Sequence, residues 1–184
     1  PLELSIDSDP ELITSSWDVL TGHVKPSNDV LFYDETGTHI GMSCAEFMLQ
    51  NGAQNLELVS PHRHVGREVG DVNFPHYLRG LYTLNACITP DWELVKVVKK
   101  AAGLDATLWN EYSNLYQTRT VDQVVVENGT QVNDELFHQL LPTSRNLGEV
   151  DFEGLRKNQI QLLDLNPHGS FYLYRIGDAW AGRN

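Results

Sequence analysis

Val30-Leu-Phe-Tyr-Asp-Glu-Thr-Gly-Thr-His-Ile-Gly41 is the stretch whose reading decides the fold. Its first five residues are a short apolar run of β-formers, and a turn with two glycines follows. Met42–Gln50 then carries helix-forming residues, Gly52 stops them, and Leu56-Glu-Leu-Val-Ser60 reads as a second strand. Strand, glycine turn, helix and strand in this order make a βαβ unit. In a dinucleotide fold such a turn offers backbone N–H groups and a helix N-terminus to a pyrophosphate. The glycine spacing departs from that pattern. With Gly41 as third glycine, Thr36 and Thr38 hold the first two positions; with Gly37 in the middle, Glu35 takes the first and the loop is one residue too long. Either way a Cβ stands where phosphate needs close approach, and Asp34 and Glu35 add negative charge.

The rest of the composition narrows the function. Thirteen Lys and Arg against 25 Asp and Glu leave a net charge of −12 over 184 residues. That excludes binding to a nucleic-acid backbone, which needs clustered cations. It suits a small-molecule ligand or a complementary protein face. No apolar run is long enough to span a bilayer. Cys44 and Cys87 stand alone, with no disulfide framework, which predicts a cytoplasmic protein. Asn128-Gly-Thr130 fits a glycosylation pattern but reads as a turn, and the chain reads as a piece of something larger.

Along the chain, Asp9–Leu20 is expected as one helix, with Asp9 as N-cap and Pro10 in its first turn. Pro61–Asn73 is a polar loop, Phe74–Leu84 a helix and Ala86–Thr89 a short strand. Leu94–Val98, Ala106–Asn110 and Tyr116–Thr120 form a β-meander, with turns at Gly103–Asp105 and Ser113–Asn114. Gln123–Glu127 follows as a further strand, and its Val124–Val126 is apolar on successive residues, as in a parallel strand buried on both faces. Asp134–Leu141 is a short helix closed by Pro142, Asp151–Lys157 a helical turn, and Phe171–Ile176 a strand running into Gly177-Asp178. The fold class is α/β: a Rossmann-like three-layer domain with an antiparallel meander, plus pieces of a second, similar lobe.

Several stretches, in this order, resemble the C-terminal region of the NADH:flavin oxidoreductases related to trimethylamine dehydrogenase and 2,4-dienoyl-CoA reductase. They are Trp17-Asp-Val-Leu20, Asp34–Glu46 with its Gly41-Met-Ser-Cys-Ala-Glu46, Asp122–Glu127, Asn133-Asp-Glu-Leu136, Ser144-Arg-Asn-Leu-Gly-Glu149 and Arg175-Ile-Gly-Asp178. Within that family the chain is most similar to the N-methylproline (stachydrine) demethylase branch. The resemblance implies an NAD(P)-binding-like inserted domain at 25–121. Residues 1–24 and 122–184 would form an incomplete FAD- or ADP-binding-like lobe. It also implies a preceding TIM barrel with FMN and a [4Fe–4S] cluster, in which the chemistry occurs. The partners implied are that barrel, the rest of the lobe and an electron-transfer protein. An unfilled half-lobe would also expose apolar surface and pair with a second copy.

Two candidate cofactor sites follow. Gly37, Thr38 and Gly41, with Ser60 at the end of the second strand and Arg63 beyond it, are placed for a pyridine nucleotide. The cations near Ser60, which include Arg67, favour NADPH over NADH. Where related reductases carry a glutamate two residues after the last glycine, this chain has Ser43, so the pocket reads as vestigial. Gly177 and Asp178 match the family's late Gly-Asp, whose carboxylate meets hydroxyls of the flavin or nucleotide. The plain alternative for Asp178 is a turn-capping residue. His62, His64 and His76 lack the ligand spacing of a metal site. Cys44 reads as a small buried residue packing its helix on the sheet.

Overall fold

The computed structural model describes residues 6–180, which divide after Gly129 into two compact units. In the first, a 3-10 turn at Pro10–Leu12 leads into β1 (Ile13–Ser15) and α1 (Ser16–Leu20). β2 (Asp29–Asp34), α2 (His39–Gln50), β3 (Asn55–Val59), α3 (Phe74–Thr83) and β4 (Cys87–Thr89) follow. The antiparallel meander comprises β5 (Glu93–Lys100), β6 (Gly103–Asn110) and β7 (Leu115–Val121), and β8 (Gln123–Glu127) closes the unit. The main sheet has five parallel strands in the order β1-β8-β2-β3-β4.

Strand alternation explains the layers. Val30, Phe32, Leu56, Leu58 and Val125 face one way, onto Met42, Cys44, Ala45 and Met48 of α2 and Leu81 of α3. Leu31, Tyr33, Val59, Val124 and Val126 face the other way, onto Leu94 and Val97 of β5 and Ala106 and Leu108 of β6. The meander thus covers the face that a second helix layer covers in a doubly wound sheet. Val124, Val125 and Val126 are at most 2% exposed, as a central parallel strand requires.

The second unit is held differently. It carries α4 (Glu135–Leu140), a 3-10 turn at Leu141–Thr143 and α5 (Phe152–Arg156). Among its described residues no apolar side chain is buried, whereas Ser144 and Asn146 are fully so. Asn146 Nδ2 donates to the carbonyls of Glu149 and Leu173, at 2.9 and 2.8 Å, and its Oδ1 accepts the Leu173 N–H at 2.8 Å. Asp134 and Arg175 form a 2.5 Å ion pair, with the guanidinium 4.3 Å above the Phe137 ring.

Four expectations need correction. Asp9–Leu20 is three pieces, not one helix. Asp9 does accept the Glu11 N–H, but β-branched Ile13 and Thr14 are extended and pair with Val124 and Val125. A Ser15–Asp18 capping box then restarts the helix. Second, α2 begins at His39, three residues earlier than Met42. Third, the hairpin turn is Ala101-Ala102, because Lys100 pairs with Gly103 and residues 103–105 already belong to β6. Fourth, Phe171–Ile176 is not a strand. It makes one bridge, Phe171 with Ser144, and the Asn146 side chain takes the backbone bonds of Leu173 that a neighbouring strand would have made.

β1 and β8 are hydrogen-bonded into the sheet of the first unit. Residues 1–5 and 181–184 of the expected flanking lobe lie outside the described residues.

Candidate functional site

Open parallel sheets bind ligands at the carboxyl ends of the strands, where the strand order reverses. Here that point lies between β2 and β8, and two buried carboxylates stand on it. Asp34 and Glu127 are register partners at the ends of these strands.

Asp34 governs the glycine turn. Its Oδ1 accepts the Gly37 N–H at 2.9 Å, the Thr36 N–H at 3.2 Å and the Thr36 hydroxyl at 3.2 Å. Its Oδ2 is buried without a hydrogen-bond partner and lies against Gly41, where any Cβ would fall on the carboxylate. So the turn's first N–H groups are already bonded to an anion, and it belongs to the chain itself. Thr38, at the N-cap of α2, makes no side-chain cap; its hydroxyl is 3.1 Å from that of Thr36. Gly37 has φ +65°, and a Cβ there would press on the backbone of Arg67 at 3.0 Å. The Glu68 N–H bonds the Gly37 carbonyl at 2.8 Å, and His62 Nε2 donates to the Glu35 carbonyl at 2.9 Å. The loop after β3 therefore closes down on the turn.

The electrostatics follow from burial. Desolvation pushes Asp34 up to about 6; the Glu127 carboxylate adds to this, while the Gly37 and Thr36 donors pull it back. Burial likewise pushes the Cys44 thiol up to about 12, with help from Glu127 and Asp34. Cys44 is the inert packing residue its position suggested, donating weakly to the Ser16 carbonyl. Glu127 receives the Ser16 hydroxyl and, at 3.1 Å, the Gly129 N–H. Glu35, on the rim, is raised by burial and by Glu93.

A pyrophosphate here would bring further negative charge to a buried carboxylate. Two like charges about 4 Å apart repel by roughly 4 kcal/mol at an effective dielectric near 20. That is about three decades of affinity.

The other predicted residues fall as follows. Ser60 is buried and committed: its N–H bonds the Thr89 carbonyl at 3.1 Å and its carbonyl accepts the Trp92 N–H at 3.1 Å. Arg63 instead lines a cleft of about 320 Å³ with Pro61, His62, His64, Arg67 and Tyr112. Arg67 also pairs with Glu68 at 3.3 Å. In the second unit, Gly177 and Asp178 are exposed in a 3-10 turn, Gly177–Ala179, and not at the end of a strand. Glu127 and Ser16 were missed as site residues. A glutamate ending an apolar strand was the available signal for the first; Ser16 carried none.

The comparisons with known proteins agree with this architecture. No family model matches the chain. It is 38% identical over 174 residues, 95% of its length, to a probable N-methylproline demethylase of Rhizobium meliloti. It is also 38% identical over 182 residues, 97% of its length, to an N,N-dimethylglycine/sarcosine dehydrogenase of Chromohalobacter salexigens. In both cases it spans about a quarter (26%) of the relative. The histamine dehydrogenase of Rhizobium sp. 4-9 superposes on 96% of the chain with a TM-score of 0.70 at 18% identity, and the chain spans 24% of it. The fold is a Rossmann-like α/β sheet with an antiparallel meander, and the relatives matched in sequence are named as a demethylase and a dehydrogenase. Over nearly its whole length the chain is thus similar to part of flavin oxidoreductases of the trimethylamine dehydrogenase type.

Among the described residues no helix is long and apolar enough to cross a membrane.

Proposed function

We propose that this chain is a non-catalytic scaffold region of a flavin- and iron–sulfur-dependent oxidoreductase that acts on N-methylated amines. The oxidation takes place in a separate TIM barrel carrying FMN and [4Fe–4S], and this region positions or replaces a dinucleotide beside it. The substrate class is supported by relatives named for N-methylproline and for N,N-dimethylglycine and sarcosine. Residues 25–121 stand for the inserted NAD(P)-binding-like domain, and 1–24 with 122–184 for part of an FAD- or ADP-binding-like lobe. The observation that carries the scaffold reading is Asp34, whose carboxylate takes the N–H groups that a pyridine nucleotide's pyrophosphate would need. Electrons would then leave to a protein acceptor, steered by the acidic surface. FAD or ADP would be held through Gly177 and Asp178 together with the rest of that lobe.

The cationic cleft of Arg63, Arg67, His62 and His64 favours a second reading, in which Gly37, Thr38, Gly41, Ser60 and Arg63 serve a working NADPH site. A thermal-shift titration separates the two, because a ligand bound only by the native state raises the melting temperature with its concentration. The scaffold reading predicts a flat response to NADPH and NADH. A saturable NADPH shift that disappears in Arg63→Ala would replace it with the second.

A further inference from the structure

Beside its departure in glycine spacing, this turn differs from a dinucleotide site in what one buried side chain, Asp34, does. α2 is a twelve-residue helix with a glycine turn at its head, and its third glycine is present. What a phosphate would use, Asp34 uses. Its Oδ1 takes the Thr36 and Gly37 N–H groups, and its partnerless Oδ2 fills the space that Gly41 leaves by having no Cβ. We infer that Asp34 is an internal anion that decides ligand specificity in this unit, shutting out pyrophosphate esters from the glycine turn at the head of α2. The inference rests on the reading of this region as closed to pyridine nucleotides, and it names the residue that closes it.

Two features beyond the carboxylate support a cradle that still works. The backbone of the turn is in place, with Gly37 at positive φ and Thr38 extended ahead of α2. The neighbouring cleft keeps Arg63, Arg67, His62 and His64 together on an otherwise acidic chain. Neither depends on Asp34 for its covalent geometry. Glu127, the second carboxylate of the crevice, is held back by the Ser16 hydroxyl and the Gly129 N–H, donors outside the turn.

The test compares the wild-type chain with Asp34→Gly and Asp34→Ser. Serine keeps a hydroxyl that can accept from the Thr36 or Gly37 N–H, two and three residues on, so that variant retains the turn. Each is confirmed folded by circular dichroism and titrated calorimetrically with NADH, NADPH, ADP and inorganic pyrophosphate, with adenosine as a pyrophosphate-free control. The expected result is a gain of about tenfold or more in affinity over wild type in at least one folded variant. It is shared by the pyrophosphate-bearing probes and absent with adenosine. Folded variants that bind no better than wild type overturn the inference, and so does an equal gain with adenosine. The wild-type titration alone bears on the scaffold reading; the ratio of variant to wild type bears on Asp34. Failure of one is therefore distinguishable from failure of the other.

Discussion

The two units of this chain reach a fixed structure by opposite means. Up to Gly129, two apolar cores sandwich a parallel sheet, and fully buried side chains such as Phe32, Leu31 and Met48 come from period-two strands and a helix. Beyond Gly129 no described apolar side chain is buried, and the buried side chains belong to Ser144 and Asn146. There Leu136, Phe152, Leu155, Ile160, Leu162 and Ile176 are all exposed. The first unit has hydrophobic burial to spend on a buried charge at its crevice, whereas the second depends on each hydrogen bond it makes. A region built the first way tolerates Asp34; one built the second way gains its order from partners and amides.

Mutations should expose that contrast. The largest effect is expected for Phe32→Ala, which leaves a cavity between α2 and the sheet. It should cost about 3–5 kcal/mol in urea unfolding, against about 0.5 kcal/mol for exposed Ile160→Ala. Comparable costs would erase the distinction between the units. Asn146→Ala comes next: it strips the bonds to Leu173 and Glu149, at about 2–4 kcal/mol. Hydrogen exchange should then accelerate for residues 144–173 while the amides of β2 and β8 stay protected.

A third prediction concerns pH. The folded chain holds the Asp34 proton more tightly than the unfolded chain does. Its contribution is therefore fully present below about pH 4 and is lost as pH rises through about 6. Glu127, Cys44 and Tyr33 are the titratable neighbours, and Tyr33 is itself raised, mainly by burial. Unfolding free energies of wild type minus Asp34→Asn should fall by roughly 2–3 kcal/mol between pH 4 and 7. A difference independent of pH would show that Asp34 is not desolvated. Fourth, Gly41→Ala should cost about 1–3 kcal/mol by crowding the Asp34 carboxylate, and less in an Asp34→Gly background. Additive costs would mean that the two do not share that space. The smallest effect is chemical: native protein should expose one thiol to a modifying reagent, Cys87, and the second, Cys44, only on unfolding.

Much of the first unit was legible because its signals are local. A continuous apolar run of β-formers gave β2, short strand-forming runs between turn residues gave the meander, and three successive valines gave β8. Ile13 and Thr14 were absorbed into a helix since a three-residue strand lacks periodicity, and only its pairing with β8 defines it. Phe171–Ile176 has strand composition, but whether a strand forms depends on its neighbour, and the neighbour is a side-chain amide. At the site, the departure from the glycine pattern and the negative charge of Asp34 were both visible. That the carboxylate turns inward to bond the turn was not, because an acidic residue in a turn reads alike facing solvent or backbone.

Whether the turn is closed to phosphate depends on what its N–H groups are bonded to. Amide resonances of Thr36, Gly37 and Gly41 should be followed through a pH titration, with and without millimolar NADPH. The prediction is that Thr36 and Gly37 move together as pH crosses about 6, following Asp34, and that NADPH leaves all three unmoved. Saturable shifts with NADPH at constant pH, with no response near pH 6, would show that the turn is open to phosphate and that Asp34 does not occupy it.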